Sequence, residues 1–276
     1  MRIWWALSAA VALSGCAPTL SSLTPAHVAK PKHVQMELGM GLAMTGGGLP
    51  HALNVGENLD QQSALSVRQQ RQLINSEWAN NATPSGVEMD LGVAVGVAEN
   101  WEVSGRATTA GLRLGGRHQF LKQRVDGLDL SVGLGLRSDA YRAAGTTAYD
   151  SVETNKLSNW GFDIPVLLGG SGDWFRWWTG TRILAWHYAT RFDMQTTNAT
   201  GQMLAYSIDG TGGSVCAAGV LGGALGYEHV FLAFELTAGY LGTAARLQAS
   251  RDDVGSFSFR SSSLVVFPAI GLLSEY

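Results

Sequence analysis

The chain has 276 residues with 35 glycines, 15% charged residues and 46% hydrophobic residues. The hydrophobic share is nowhere gathered into an apolar run of transmembrane-helix length, which excludes a helical membrane protein. A net charge of -3 gives no basic surface for nucleic acid, and only four of the 19 basic residues are lysines, Lys30, Lys32, Lys122 and Lys156.

Taken in chain order, the first element is a targeting segment. Arg2 precedes an apolar run from Ile3 to Leu13, so residues 1–15 form a signal peptide that stands outside the fold. Residues 16–32 are rich in Ser, Thr, Pro and Ala without periodicity and are expected to be a periplasmic tether. Residues 33–276 are expected to form the folded domain. Its first strand runs from Val34 to Thr45, with Val34, Met36, Leu38, Met40, Leu42 and Met44 alternating against Gln35, Glu37, Gly39, Gly41, Ala43 and Thr45. A long insertion, residues 49–85, follows the glycines at 46–48. Its middle, Asn58 to Trp78, predicts a helix capped by Asn58 or Asp60 and resting on the rim of the domain, with a partner-binding helix as the alternative.

From Gly86 to Arg137 four more strands of about ten residues follow one another with almost no connection, each with large aliphatics on one face and Gly, Ala or charge on the other. A polar loop is expected from Ser138 to Ser158. The sixth strand carries Trp160, Phe162, Ile164, Val166 and Leu168 on one face, and the seventh, Trp174 to Arg191, alternates so poorly that a bulge near Trp177 is expected. After a loop from Phe192 to Gly212 come strands from Val215 to Tyr227 and from Val230 to Tyr240. A further loop, Gly242 to Gly255, leads to a last strand ending at Tyr276.

This pattern predicts an all-β fold, an up-and-down antiparallel transmembrane β-barrel of about ten strands with one helical extracellular insertion. Three features support it. Lysine is missing from the expected strands, although soluble sheets place it on their wet faces and edges. Connections alternate between short and long, as between the periplasmic and extracellular ends of outer-membrane barrels. Aromatics gather at strand ends, where Trp101, Phe120, Trp174, Trp177, Tyr227 and Tyr276 would mark one membrane interface and Trp160, Trp186, Tyr188, Tyr240 and Phe257 the other. The rival is a lipid-tethered soluble barrel of the lipocalin kind with its aliphatics inside, but the opposite face, Gly, Ala and Arg without Lys, makes a poor solvent surface.

Two resemblances add to this reading. Leu13-Ser14-Gly15-Cys16 resembles the lipobox of bacterial lipoproteins. That implies cleavage before Cys16, diacylglyceryl attachment at its sulfur, acylation of the new amino terminus (palmitate chemistry in a Gram-negative cell envelope), and the lipoprotein processing and sorting machinery as partners. Ala17 in place of the Asp that marks inner-membrane retention implies the outer membrane, with the anchor on the periplasmic side. The terminal Leu272-Leu273-Ser274-Glu275-Tyr276 resembles the signal by which outer-membrane barrels are recognised by the barrel assembly machinery, with Ser274 departing from the pattern.

Opposite the aliphatics stand Glu37, Glu88, Asp90, Glu102, Asp129, Asp163 and Glu235 against Arg106, Arg113, Arg117, Arg137, Arg182 and Arg260. This near-balance predicts a lumen filled by ion pairs. A small-solute channel, whose path Arg106, Arg113 and Arg117 would line, is the alternative, since a selective pore more often shows one sign of charge. Cys216 is left as a small strand residue without a disulfide partner. No cofactor or metal site is expected, because no ligand spacing or phosphate-binding loop occurs. No enzyme is expected either, His187 with Asp193 or Asp209 being the one acid-base grouping available to a rim hydrolase. The chain is therefore expected to act structurally or by binding through its extracellular loops, with outer-membrane lipid as its surroundings and an extracellular ligand that sequence does not name.

Overall fold

A computed structural model describes residues 21–62, 64–82, 86–109, 111–122, 127–139, 149–197 and 201–276. The expected signal peptide, Cys16 and the start of the tether lie outside the described residues. Strands β1 (Val34–Gly47), β2 (Gly86–Ala98), β3 (Trp101–Thr108), β4 (Leu112–Leu121), β5 (Asp129–Asp139), β6 (Val152–Ser171), β7 (Phe175–Thr197), β8 (Met203–Tyr227), β9 (Val230–Ala249) and β10 (Ser256–Glu275) pair antiparallel with their neighbours. The ring closes where β1 pairs with β10, Gln35 opposite Glu275 and Gly47 opposite Ser263. Helices α1 (Gly48–Asp60) and α2 (Val67–Ala82) fill the connection from β1 to β2. The end of the barrel that holds Val34 and Tyr276 is called the lower end below.

Alternation sorts the side chains. Met36, Leu38, Met40, Leu91, Val103, Leu114, Leu134, Phe162, Ile183, Leu221, Phe234 and Leu264 are exposed on the outer face, so the aliphatic register points outward on every strand. An apolar belt this continuous, with Thr181 of β7 an exposed exception, is a surface that acyl chains, not water, solvate. Rings cluster at its lower edge: Trp101, His118 and Phe120 pack at 4.4 and 4.6 Å, and His229 stacks on Tyr276 at 5.3 Å.

Strand length departs from the expectation of about ten residues. Strands β6 to β10 have 20 to 25 residues each. The stretches expected as loops at 192–212 and 242–255 are largely the upper parts of β7, β8 and β9, and the loop expected at 138–158 yields to β6 from Val152. Lys156 therefore lies in a strand after all. Their outward residues turn polar, with Arg191, Asp209, Arg246 and Arg260 above the belt. Eight residues of β7 beyond Ala189 extend about 20 Å past it at a usual strand tilt. Arg260 thus stands on the outside of the barrel and not in the lumen. No bulge interrupts β7 at Trp177, and its register against β8 is unbroken from Phe175 to Thr197. The alternation looked poor because both faces are apolar: Trp178, Leu184, Trp186, Tyr188, Phe192 and Met194 point inward and are buried. Trp186 and Tyr188 accordingly belong to the interior and not to an interface girdle.

What they pack against is the insertion, which lies within the barrel rather than on its rim. It forms two helices, not one. Asn58 and Asp60 fall at the end of α1, and α2 is capped instead by Ser66: its hydroxyl accepts from Gln69 N while Gln69 Oε1 accepts from Ser66 N, a reciprocal capping box. Leu49, Leu59, Leu73, Ile74, Trp78 and Ala79 join Trp186, Tyr188, Phe192, Ile208 and Leu247 in one core in the upper lumen. Trp78 packs edge-on against Tyr188 and Phe192 at 6.2 and 6.5 Å, in room left by Gly210 and Gly212. Polar ties fix α2 to the wall, Thr154 donating to Glu77 at 2.8 Å and Tyr206 to Gln70 at 2.8 Å.

Candidate functional site: the polar lower lumen

Below the helices the lumen changes character. Its wall residues are the charges expected to face inward, and the structure places all of them but Arg260 in the interior. Arg106 on β3 binds Glu37 of β1 at 2.5 Å and Asp90 of β2 at 3.2 Å. Arg117 on β4 binds Glu102 of β3 at 2.7 Å. Arg113 binds Asp163 of β6 at 2.5 Å, with Arg182 of β7 at 3.8 Å from the same carboxylate, and Arg137 lies 3.9 Å from Glu88. Asp129 accepts from Gln119 at 2.7 Å. Small inner-face residues make the room: a Cβ on Gly135 would sit 2.1 Å from the Asp163 carboxylate, and one on Gly133 2.7 Å from the Arg117 stem. Arg106, Arg113 and Arg137 stand directly opposite one another across β3, β4 and β5. Like charges in such a row repel, and the acids of β1, β2 and β6 offset this.

A second component was not legible as such in the sequence. Residues 21–29, expected as part of a free tether, run inside the lower lumen, with Ser21, Ser22, Leu23, Pro25, Ala26, Val28 and Ala29 buried. The wall holds their main chain. Arg106 donates to Ser22 O at 2.5 Å, and Arg117 to Pro25 O at 2.5 Å and His27 O at 3.1 Å. Glu235 accepts from Ser22 N at 3.0 Å, Gln119 from Val28 N at 3.1 Å and Glu102 from Ala29 N at 2.9 Å. Glu235 also takes the Ser21 hydroxyl and the Trp178 indole N–H at 2.9 Å, and the Ser22 hydroxyl meets Arg182. His27 binds Glu275 at 2.9 Å, and Arg176 binds the same carboxylate. Each of Arg106, Arg117, Glu102 and Glu235 therefore has one set of bonds to the wall and another to the segment.

Between Thr24, Pro25 and the β1 to β5 wall lies a cavity of about 50 Å³, onto which Arg106, Arg113, Arg117 and Arg182 open. The three arginines expected to line a path do face free space. Thr24 and Pro25 of the segment line that space, and the helical core lies in the lumen beyond it.

No protein-family model matches the sequence, and no curated protein matches it. Among solved structures the chain is similar to one described as the CymD monoaromatic hydrocarbon channel, at 9% identity and a TM-score of 0.25, covering 98% of this chain and 96% of that one. It is also similar to the outer membrane protease OmpT from Escherichia coli, at 9% identity and a TM-score of 0.33, covering 94% of this chain and 99% of that one.

The acid-base grouping considered for a hydrolase is not assembled. His187 is exposed on the outer face and packs on Trp160 at 5.9 Å, while Asp193 binds Asn155 and Asp209 lies 3.8 Å from Arg191. Among the described residues no group of three or more His, Cys, Asp or Glu is arranged to hold a metal ion. Cys216 is buried and free.

Proposed function

We propose that the chain is a lipid-anchored outer-membrane β-barrel with a closed lumen, a structural and surface-binding protein whose contacts with the outside are made by the projecting walls of β6 to β10 and their loops. The observation that carries this reading is the pairing of opposites across one wall: a continuous apolar belt outside and a lumen filled from both ends inside. The belt matches a bilayer, the long-loop end takes the extracellular side, and the lower end takes the periplasmic side, where the lipobox at Cys16 would add an acyl anchor.

Two measurements test it. In planar bilayers the purified full-length protein is expected to give no steady current, whereas steady conductance overturns the closed lumen. Mass spectrometry of the amino-terminal peptide from membranes is expected to find Cys16 diacylglycerylated and amino-acylated, and an unmodified Cys16 overturns the anchor while leaving the barrel in place.

A further inference from the structure

We propose that the lower lumen is a binding site for a polypeptide segment in a bent conformation, held largely through its main chain, and that residues 21–29 are its resident ligand. The inference depends on the closed lumen and not on the lipid anchor.

Six polar contacts fall on the segment's backbone, beside side-chain contacts of Ser21, Ser22 and His27 and the apolar packing of Leu23 and Ala26. Three carbonyls, of Ser22, Pro25 and His27, receive guanidinium donors, and three amides, of Ser22, Val28 and Ala29, are taken by Glu235, Gln119 and Glu102. The segment is not a straight strand, since Leu23 has a positive φ of 42° and the chain bends at Ala26 and His27, so the wall addresses one bent main-chain path. Capture through the main chain is the logic by which sheet edges take peptides, here performed by side chains of a closed sheet.

Selectivity enters at two points. Ala26 lies against Gly169, whose absent Cβ would stand 2.9 Å from the Ala26 methyl, so this position takes only a small residue. Thr24 and Pro25 instead border the cavity of about 50 Å³, so a side chain slightly larger than the resident one fits there. The helical core occupies the lumen above the site, so loading is expected from the lower side. Vacating the site would leave Arg106, Arg117, Glu102 and Glu235 buried without their second set of partners. The resident segment is therefore expected to leave only in exchange for another chain.

The exposed link from Lys30 to His33 makes this testable on the folded protein. A site-specific protease sequence is inserted between Lys30 and Pro31, the protein is folded in detergent and cut, and fluorescent peptides spanning residues 20–30 are offered in excess while anisotropy is read. The resident sequence and a Thr24→Gln version are expected to enter with similar affinity, and an Ala26→Trp version to be excluded. A peptide N-methylated at Val28 and Ala29 is expected to bind about a hundredfold more weakly, since it loses two hydrogen bonds, one of them to a carboxylate. Arg117→Gln in the cut protein is expected to weaken all peptides together. The proposal is overturned if the N-methylated peptide binds as well as the resident one, or if no offered peptide enters the cut protein, in which case the segment is a permanent filling.

Discussion

At the residue scale the interior depends on groups that serve two partners at once. Arg117 neutralises Glu102 through one nitrogen and holds two carbonyls of the lumen segment through others. Replacing it by alanine leaves Glu102, 1% exposed, as a buried carboxylate without its cation. Loss of one member of a buried pair costs about 3–5 kcal/mol. Arg117→Ala is accordingly expected to unfold at lower urea concentration in lipid vesicles, with unchanged slope, while Arg260→Ala, outside the barrel, leaves the midpoint where it was. The inward direction of Arg117, Arg106 and Asp163 was legible because a strand's period of two leaves a charge one choice of face once its neighbours are aliphatic. Arg260 was misread by the same rule. Above the belt the rule inverts, with Phe259 turned inward to the helical core and Ser258, Arg260 and Ser262 outward, so placing the charge inside as in the belt put Arg260 on the wrong side.

At the element scale the lesson is in β7 and the helices. A strand apolar on both faces has no visible period, and the sequence of β7 therefore suggested a defect where the structure has a regular ladder. The inner apolar face exists because α1 and α2 lie behind it, a long-range fact that local pattern cannot report. The capping box at Ser66 and Gln69 was the local signal that divides the insertion into two helices. Two tyrosines report on this packing. Burial, with the Glu77 carboxylate adding to it, holds the Tyr149 phenol well above its ordinary range; burial does the same for Tyr206, against the opposing pull of Arg251. A folded-state value above the unfolded one means that their contribution to stability is complete below about pH 10 and is lost as pH rises beyond it. Absorbance titration at alkaline pH is expected to show late-ionising phenols, absent from a Tyr149→Phe, Tyr206→Phe double variant. Ionisation of all tyrosines together near the ordinary value would contradict the packing.

At the scale of the whole molecule, what decides the surroundings is which face is greasy. Leu91, 52% exposed and central in β2, stands for the belt. Leu91→Arg is expected to cost about 2–4 kcal/mol if it sits at a bilayer midplane, read as reduced insertion into vesicles, whereas Ser258→Arg on the same face of the projecting wall inserts normally. Equal insertion of both would mean that the belt is not in lipid.

The segment inside the lumen also bears on how the ring comes together. Leu23 lies beneath the seam itself: a Cβ on Gly271 of β10 would come within 2.5 Å of its methyl, and one on Gly39 of β1 within 3.0 Å. First and last strands, the latest partners to meet in a chain that assembles in order, are thus laid over a residue that precedes them both. Closure and loading become one event, and a barrel zipped up before its leading residues were tucked in would have to reopen along β1 and β10 to admit them.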